Sequence, residues 1–153
     1  MFEKARTHLE KFCLVDRIIV FSVSTATVYE AANALNSTEG EIAKSLAFYI
    51  NEKPILVIVA GDKKIDNYKF KHTFNVKAKM IPFDEVELVI GHAAGGVCPF
   101  GINENVAVYL DESLKKYQYV YPACGSHNSA VKLSVEELEK TSNYITWVDV
   151  CKE

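Results

Sequence analysis

The sequence predicts one mixed α/β domain of 153 residues. Three observations carry that expectation. Helical and strand periodicities alternate along the chain, two neighbouring apolar runs joined by turn chemistry mark a central hairpin, and no linker, repeat or low-complexity tract divides the whole. With 49% hydrophobic and 24% charged residues, the chain can bury a core yet is too short for two ordinary domains.

The elements follow in order. Phe2, Ala5, Leu9 and Phe12 recur at three- and four-residue spacing and predict an amphipathic first helix. Asp16–Val23 is a short apolar strand. Ser24 or Thr25 is placed to cap a second helix running to about Leu35, and Thr38 with Glu41 has capping-box spacing for a further turn. Lys44–Ile50 and Ile55–Ala60 are strands of a hairpin turned by Asn51-Glu52-Lys53-Pro54, and this hairpin forms the sheet centre. Asp66–Phe74 and Pro82–Ile90 predict helices, the second opening on a proline whose missing N–H costs nothing there. Val106–Leu110, Gln118–Pro122 and Ser129–Leu133 are further strands. Ser134 and Glu137 cap a last helix to about Ser142, and Ile145–Val150 closes the chain as a strand.

Composition excludes several classes. The longest apolar run, Ile55–Ala60, is far below the roughly 20 residues that span a bilayer, and the charged N-terminus has no apolar signal core. A cytoplasmic protein without a membrane partner is expected. Cys13, Cys98, Cys124 and Cys151 are scattered singly, without the paired spacing of a zinc or redox site, so reduced thiols and no metal or cofactor are expected. A net charge of −3 and a pI near 5.8 give no global field for nucleic acid. Any such contact is local. Between Asp62 and Lys79, Lys63, Lys64, Lys69, Lys71, Lys77 and Lys79 face only Asp62 and Asp66, which reads either as a solvated face or as a phosphate-binding patch.

Three segments have the composition of a site. Gly91-His92-Ala93-Ala94-Gly95-Gly96-Val97-Cys98-Pro99-Phe100-Gly101 holds four glycines and a proline in eleven residues. It is either a helix stop with tight turns or a loop that aims backbone N–H groups at an oxygen. No Walker or dinucleotide signature accompanies it. Lys44 opens an apolar strand and is either a solvated edge residue or directed into a pocket. Cys124-Gly125-Ser126-His127-Asn128 is either a hairpin turn or a cluster of polar side chains at a site. Cys98 or Cys124 paired with His92 or His127 would make a thiol nucleophile and base, although nothing in the spacing supports this over buried, inert thiols.

Taken in order, Glu41-Ile42-Ala43-Lys44-Ser45-Leu46, Gly61-Asp62-Lys63-Lys64-Ile65-Asp66, Gly95-Gly96-Val97-Cys98-Pro99-Phe100-Gly101 and Gly125-Ser126-His127-Asn128 resemble the YbaK-like family. That family comprises free-standing deacylases and the editing domain of bacterial prolyl-tRNA synthetases. The resemblance runs from about residue 24 to about residue 142. It implies a barrel-like mixed sheet flanked by helices, in a single YbaK-type domain over residues 1–153. It also implies hydrolysis of mischarged aminoacyl-tRNA, above all tRNA for proline carrying alanine, cysteine or a similar small residue. The implied partners are the 3′ acceptor end of the tRNA and, as a second candidate, a cognate synthetase.

The resemblance places Lys44 on the family's active-site lysine, Ser45 on the neighbouring hydroxyl and Gly95 to Gly101 on its glycine loop. Thr25, Gly95, Gly96, Cys98, Pro99, Gly101, Gly125, Ser126 and His127 join Ser45 as candidate substrate-binding residues. Ala130 stands where some relatives carry an acidic or amide residue, and other branches have a histidine near His127. Aminoacyl esters are labile, so oriented water or the substrate's own ribose hydroxyl suffices when an oxyanion is stabilised, and no protein nucleophile is required. The loop around Gly96 is expected to supply the N–H donors. Two other classes stay open: a non-catalytic module binding tRNA or a synthetase, and a thiol hydrolase built on Cys98 or Cys124.

Overall fold

The computed structural model describes residues 1–153. Helix α1 (Phe2–Glu10) buries Ala5 and Leu9 and stops two residues before Phe12, where Cys13 takes a positive φ of 60°. Strand β1 is only Ile18–Val20, because Val15–Arg17 is wound into a single 3-10 turn. Helix α2 (Val28–Leu35) is capped by Thr27, not by Ser24 or Thr25. The Glu30 N–H donates to Thr27 Oγ1 at 3.1 Å and the Thr27 N–H donates to Glu30 Oε1 at 3.3 Å. Thr25 is unavailable for capping, since both its N–H and its hydroxyl donate to the His127 carbonyl. At Thr38 the expected box is present, with the Glu41 carboxylate accepting from the Thr38 N–H at 3.0 Å.

The hairpin is β2 (Ile42–Ile50) and β3 (Lys53–Ala60). Its turn is tighter than expected: Asn51 and Glu52 alone form it, both at positive φ (50° and 69°). That geometry matches the right-handed twist of the flanking strands. Pro54 already lies in β3, one residue before pairing with β4 (Ala107–Asp111) begins at Ile55, so its missing N–H breaks no ladder bond. Helix α3 (Asn67–Phe74) is capped by Asp66. The helix expected from Pro82 is shorter, α4 (Val86–Ile90), because Pro82–Glu85 is spent in a turn closed by the Glu85 N–H on the Pro82 carbonyl. Glu112–Lys116, which periodicity left blank, is a 3-10 turn before β5 (Tyr119–Pro122).

The run Ser129–Leu133 divides at Lys132. Strand β6 (Ser129–Val131) pairs antiparallel with β1, and β7 (Leu133–Ser134) pairs antiparallel with β5. Helix α5 (Val135–Thr141) starts from the Ser134–Glu137 capping box, and β8 (Trp147–Val148) ends the sheet on β4. The six-stranded order is β7-β5-β2-β3-β4-β8, with the hairpin at its centre. The mixed sheet curls into a half-barrel, and the Ala123–Ala130 bridge draws the two-stranded β1-β6 ribbon toward it.

Alternation along β3 divides the interior in two. Leu56, Ile58 and Ala60 face the larger cluster with α1, Ile90, Phe100 and Leu138. Ile55, Val57 and Val59 face a smaller one with Phe70 of α3 and Val150. Strand β2 alternates likewise, with Ala43 and Ala47 toward the larger cluster and Phe48 toward the smaller.

Candidate active site

One edge of β2 is occupied along its whole length by β3. The other edge is interrupted. Strand β5 is in register only with Ile42 and Ala43. Farther along, Lys79–Ile81 lies against β2: the Tyr49 N–H donates to the Lys79 carbonyl at 2.9 Å and the Ile81 N–H to the Ala47 carbonyl at 3.0 Å. Between these two neighbours, Lys44–Leu46 has no strand beside it, and a cleft of about 510 Å³ opens there. Its volume and mainly apolar wall suit a small ligand.

The walls come from four places. Ala26–Val28 leads into α2, Ile42–Ala47 is the floor, Met80–Phe83 and Val86 form one side, and Ala94, Gly95, Val97 and Ala123 form the other. Successive residues of a strand send their N–H and C=O groups to opposite edges. Because Ala47 and Tyr49 bond outward to Ile81 and Lys79, Ser45 also turns its main-chain N–H and C=O outward, into the gap. Its side-chain Oγ is shielded and has no hydrogen-bond partner. Lys44, next to it, lines the cleft and is half-buried. Burial lowers the pKa of its ammonium below the usual lysine value; the fields of Cys151 and Asp62 offset part of this and Lys64 adds to it.

The glycine loop divides into parts with different duties. Gly95 lines the cleft at φ 94°, and a Cβ there would sit 3.2 Å from Ala26 Cβ. Gly96 does not present its N–H to the cleft: that group donates to the Ala93 carbonyl at 3.0 Å, and the Gly96 carbonyl accepts from the Gly125 N–H at 3.0 Å. A Cβ on Gly96 would lie 2.6 Å from the Ser126 nitrogen, so the residue is a close backbone approach between two loops. This corrects the expectation of an oxyanion donor at Gly96. Cys98 and Pro99 are buried in the interior, and Gly101 packs on the Lys4 carbonyl of α1 while its N–H donates to His8 Nδ1 at 3.2 Å. None of these three lies on the cleft wall.

The second loop is also mostly structural. Gly125 adopts φ 83° against Met1, and the Ser126 hydroxyl donates to Asn128 Oδ1 at 3.0 Å. His127 is exposed at the rim beside Gly95, and Thr25 holds its carbonyl. The thiol-hydrolase alternative fails on burial. Cys98 and Cys124 are fully enclosed, burial raises the Cys98 thiol pKa far above its usual value and Cys124 to about 12, and His92 Nε2 is held by the Phe100 carbonyl at 2.6 Å. Among the lysines of the basic stretch, Lys69 is committed elsewhere: its amine donates to Asp149 at 3.2 Å and to the Cys151 carbonyl at 2.9 Å, tying the C-terminal segment to α3.

Sequence reasoning missed the rim formed by Met80 and Phe83. The signal was the apolar run Met80-Ile81-Pro82-Phe83 directly after the lysines, whose first two residues were left unassigned and whose last two were drawn into the expected helix.

Residues 23–141 match the aminoacyl-tRNA editing domain family. The chain belongs to that family. In the YbaK-like editing family it is 45% identical over 152 residues to the uncharacterised protein YwhH of Bacillus subtilis, covering 99% of this chain and 97% of that protein. It is 25% identical over 114 residues to EbsC of Enterococcus faecalis, provisionally named a Cys-tRNA(Pro)/Cys-tRNA(Cys) deacylase, covering 73% of this chain and 70% of EbsC. A crystal structure provisionally described as a trans-editing enzyme for prolyl tRNA synthetase superposes with a TM-score of 0.88 at 27% identity, covering 99% of this chain and 97% of that one. The editing-domain match spans the β2 gap and both loops, with Lys44, Ser45, Gly95 and His127 inside it.

Proposed function

We propose that the cleft hydrolyses the ester of mischarged aminoacyl-tRNA, with tRNA for proline carrying alanine, cysteine or a similar small residue as its substrate. The observation that carries this reading is the open edge of β2. There the Ser45 N–H, left without a strand partner, is a preformed donor for the ester carbonyl and for the oxyanion that replaces it. Water attacks the carbonyl carbon, oriented with the neighbouring ribose hydroxyl; the bond to the ribose oxygen breaks, a proton returns to that oxygen, and free amino acid and free tRNA leave. Lys44 supplies positive charge beside the reacting ester and the terminal phosphate. Gly95 keeps the facing wall free of a side chain, and His127 stands at the mouth.

The mainly apolar wall, formed by Ala26, Ala43, Ala47, Ala94 and Ala123 among others, fits a small side chain. A synthetase separates amino acids that differ by one methylene by only about 1–3 kcal/mol, so a second, smaller sieve has work to do. The name of EbsC and the description of the structural relative point to the same proline-linked substrates.

The test is a deacylation panel with tRNAs charged with alanine, cysteine, serine and proline, run on the natural protein, Lys44→Ala and Ser45→Pro. Proline at an open strand edge removes the N–H without touching the β2–β3 ladder. Each variant is expected to lose about 10²–10³ in rate while staying folded. Full turnover by folded Lys44→Ala would sink the site assignment. Tight tRNA binding with no hydrolysis of any charged species would instead make the chain a binding module.

A further inference from the structure

Three large side chains stand in solvent on one flank of the molecule: Phe83 is 82% exposed, Tyr68 80% and Met80 58%. A folded chain seldom leaves such groups together without something to cover them. They mark a continuous path. The cleft has Met80 and Phe83 on its rim. The residue after Lys79 is Met80, and Lys79 lines a second hollow of about 480 Å³ at the hairpin tip, with Tyr49, Lys77, Glu52 and Glu85. Lys77 also lines a third hollow of about 460 Å³, beside Tyr68 and Lys71 of α3.

The path exists because Lys79–Ile81 is pinned to the β2 edge. Main-chain bonds at Tyr49 and Ala47 fix that segment and lay the lysines that precede it along the outside of the hairpin. Lys71, Lys77 and Lys79 take part in none of the ion pairs in the molecule. Of the two acids on the path, Glu85 accepts a hydrogen bond from the Tyr49 hydroxyl at 3.0 Å. The Lys79 ammonium lies 5.9 Å from the Tyr49 ring centre, and the Tyr68 and His72 rings are stacked within 9° of parallel.

Rings alternating with unpaired lysines, leading to a cleft, are what a single nucleic-acid strand requires: bases stack on the rings and phosphates lie on the cations. We propose that this flank is the track for the single-stranded 3′ acceptor end, with the terminal base against Phe83 and the preceding nucleotides running over Lys79 and Lys77 toward Tyr68 and Lys71. Lys69, in the middle of the same stretch of sequence, is outside the track because its amine holds the C-terminal segment. The proposal rests on the deacylase reading for the direction of the strand, but the surface is testable without it.

Two substrates separate the questions: full-length aminoacyl-tRNA, and a short aminoacyl-adenosine ester that ends at the cleft. A Lys71→Glu/Lys77→Glu double variant is expected to raise KM for the tRNA about tenfold or more. The log–log salt slope of its binding should shrink by about 0.7 for each phosphate that no longer meets a lysine. Turnover of the short ester should stay unchanged. Phe83→Ala should raise KM for both substrates, since removing the ring under a stacked base typically costs about five- to 100-fold. Binding of an uncharged single-stranded acceptor RNA, followed by titration, reads the track even if no ester is hydrolysed. Equal RNA affinity and salt slope in the natural protein and the double variant would overturn the proposal. Weakened binding of a prolyl-tRNA synthetase by the double variant, with RNA affinity intact, would reassign the flank to a protein partner.

Discussion

Gly96 shows how one residue type in one motif serves different ends. The sequence marks Gly95 and Gly96 alike, yet only Gly95 has positive φ and faces the cleft, while Gly96 is pressed between Ala93, Gly125 and Ser126. Gly96→Val is therefore expected to act through stability. A side chain 2.6 Å from the Ser126 nitrogen forces the two loops apart, at a cost of about 3 kcal/mol or more, a fall of about 10 °C in Tm for a chain of this size. Turnover per folded molecule, measured well below the new Tm, should drop much less than total activity. A normal Tm with abolished turnover would return Gly96 to the oxyanion site. Lys44 and Ser45, both on the cleft wall, were legible only through the family resemblance, since a lysine opening an apolar strand is by itself as readily a solvated edge residue. The openness of the Ser45 main chain was not, since it depends on where β5 stops and where Lys79 arrives, two facts distant in sequence.

At the level of elements, periodicity located the hairpin, α1, α3, α5 and both remaining capping boxes to within a residue or two, because each is fixed by neighbours in sequence. It failed where tertiary packing cut an element short. Phe83 and Pro82 were drawn into a helix that begins only at Val86, and Ser129–Leu133 was one strand until β1 and β5 claimed different ends of it. The loop from Gly91 to Gly101 is held by a histidine at each end of its path. His8 bridges the Gly101 N–H and the Thr141 carbonyl, and His92 is buried with Nε2 on the Phe100 carbonyl and Nδ1 without a partner. Burial holds the His92 pKa below its ordinary value of 6.5, with the hydrogen bond to Phe100 opposing and the charges of the N-terminus and Lys4 adding to the fall. The unfolded chain then binds a proton that the folded one resists. Stability is full above about pH 6.5 and declines as pH falls below it toward the folded pKa. Between pH 8 and pH 5 the Tm of the natural protein should fall more than that of His92→Gln, whose amide can still donate to Phe100 without titrating. Parallel Tm curves for the two would remove His92 from the account.

For the whole molecule, the packed strand and the open cleft lie on different strands of the same sheet. The interior is carried by β3, whose alternate residues feed two apolar clusters, while the cleft and the rim belong to the interrupted outer edge of β2. A buried strand with partners on both edges offers no free backbone donor; an edge strand offers many but is hazardous when long and open. Here β5 and Lys79–Ile81 cover the outer edge of β2 on either side of a gap of about three residues, too short for a second strand to add. The consequence is a separation that mutation can measure. Leu56, fully buried in the larger cluster, and Phe70, fully buried in the smaller, both lie on the interior side of this division. Leu56→Ala is expected to cost about 2–5 kcal/mol and Phe70→Ala about 3–5 kcal/mol in chemical denaturation, from lost transfer energy and the cavities left behind. Both should retain near-natural kcat per folded molecule in deacylation at low temperature, because neither residue lines the cleft. A variant that kept its stability but lost kcat, or one whose kcat fell in step with its unfolding free energy while it was still fully folded, would show that the edge depends on core packing.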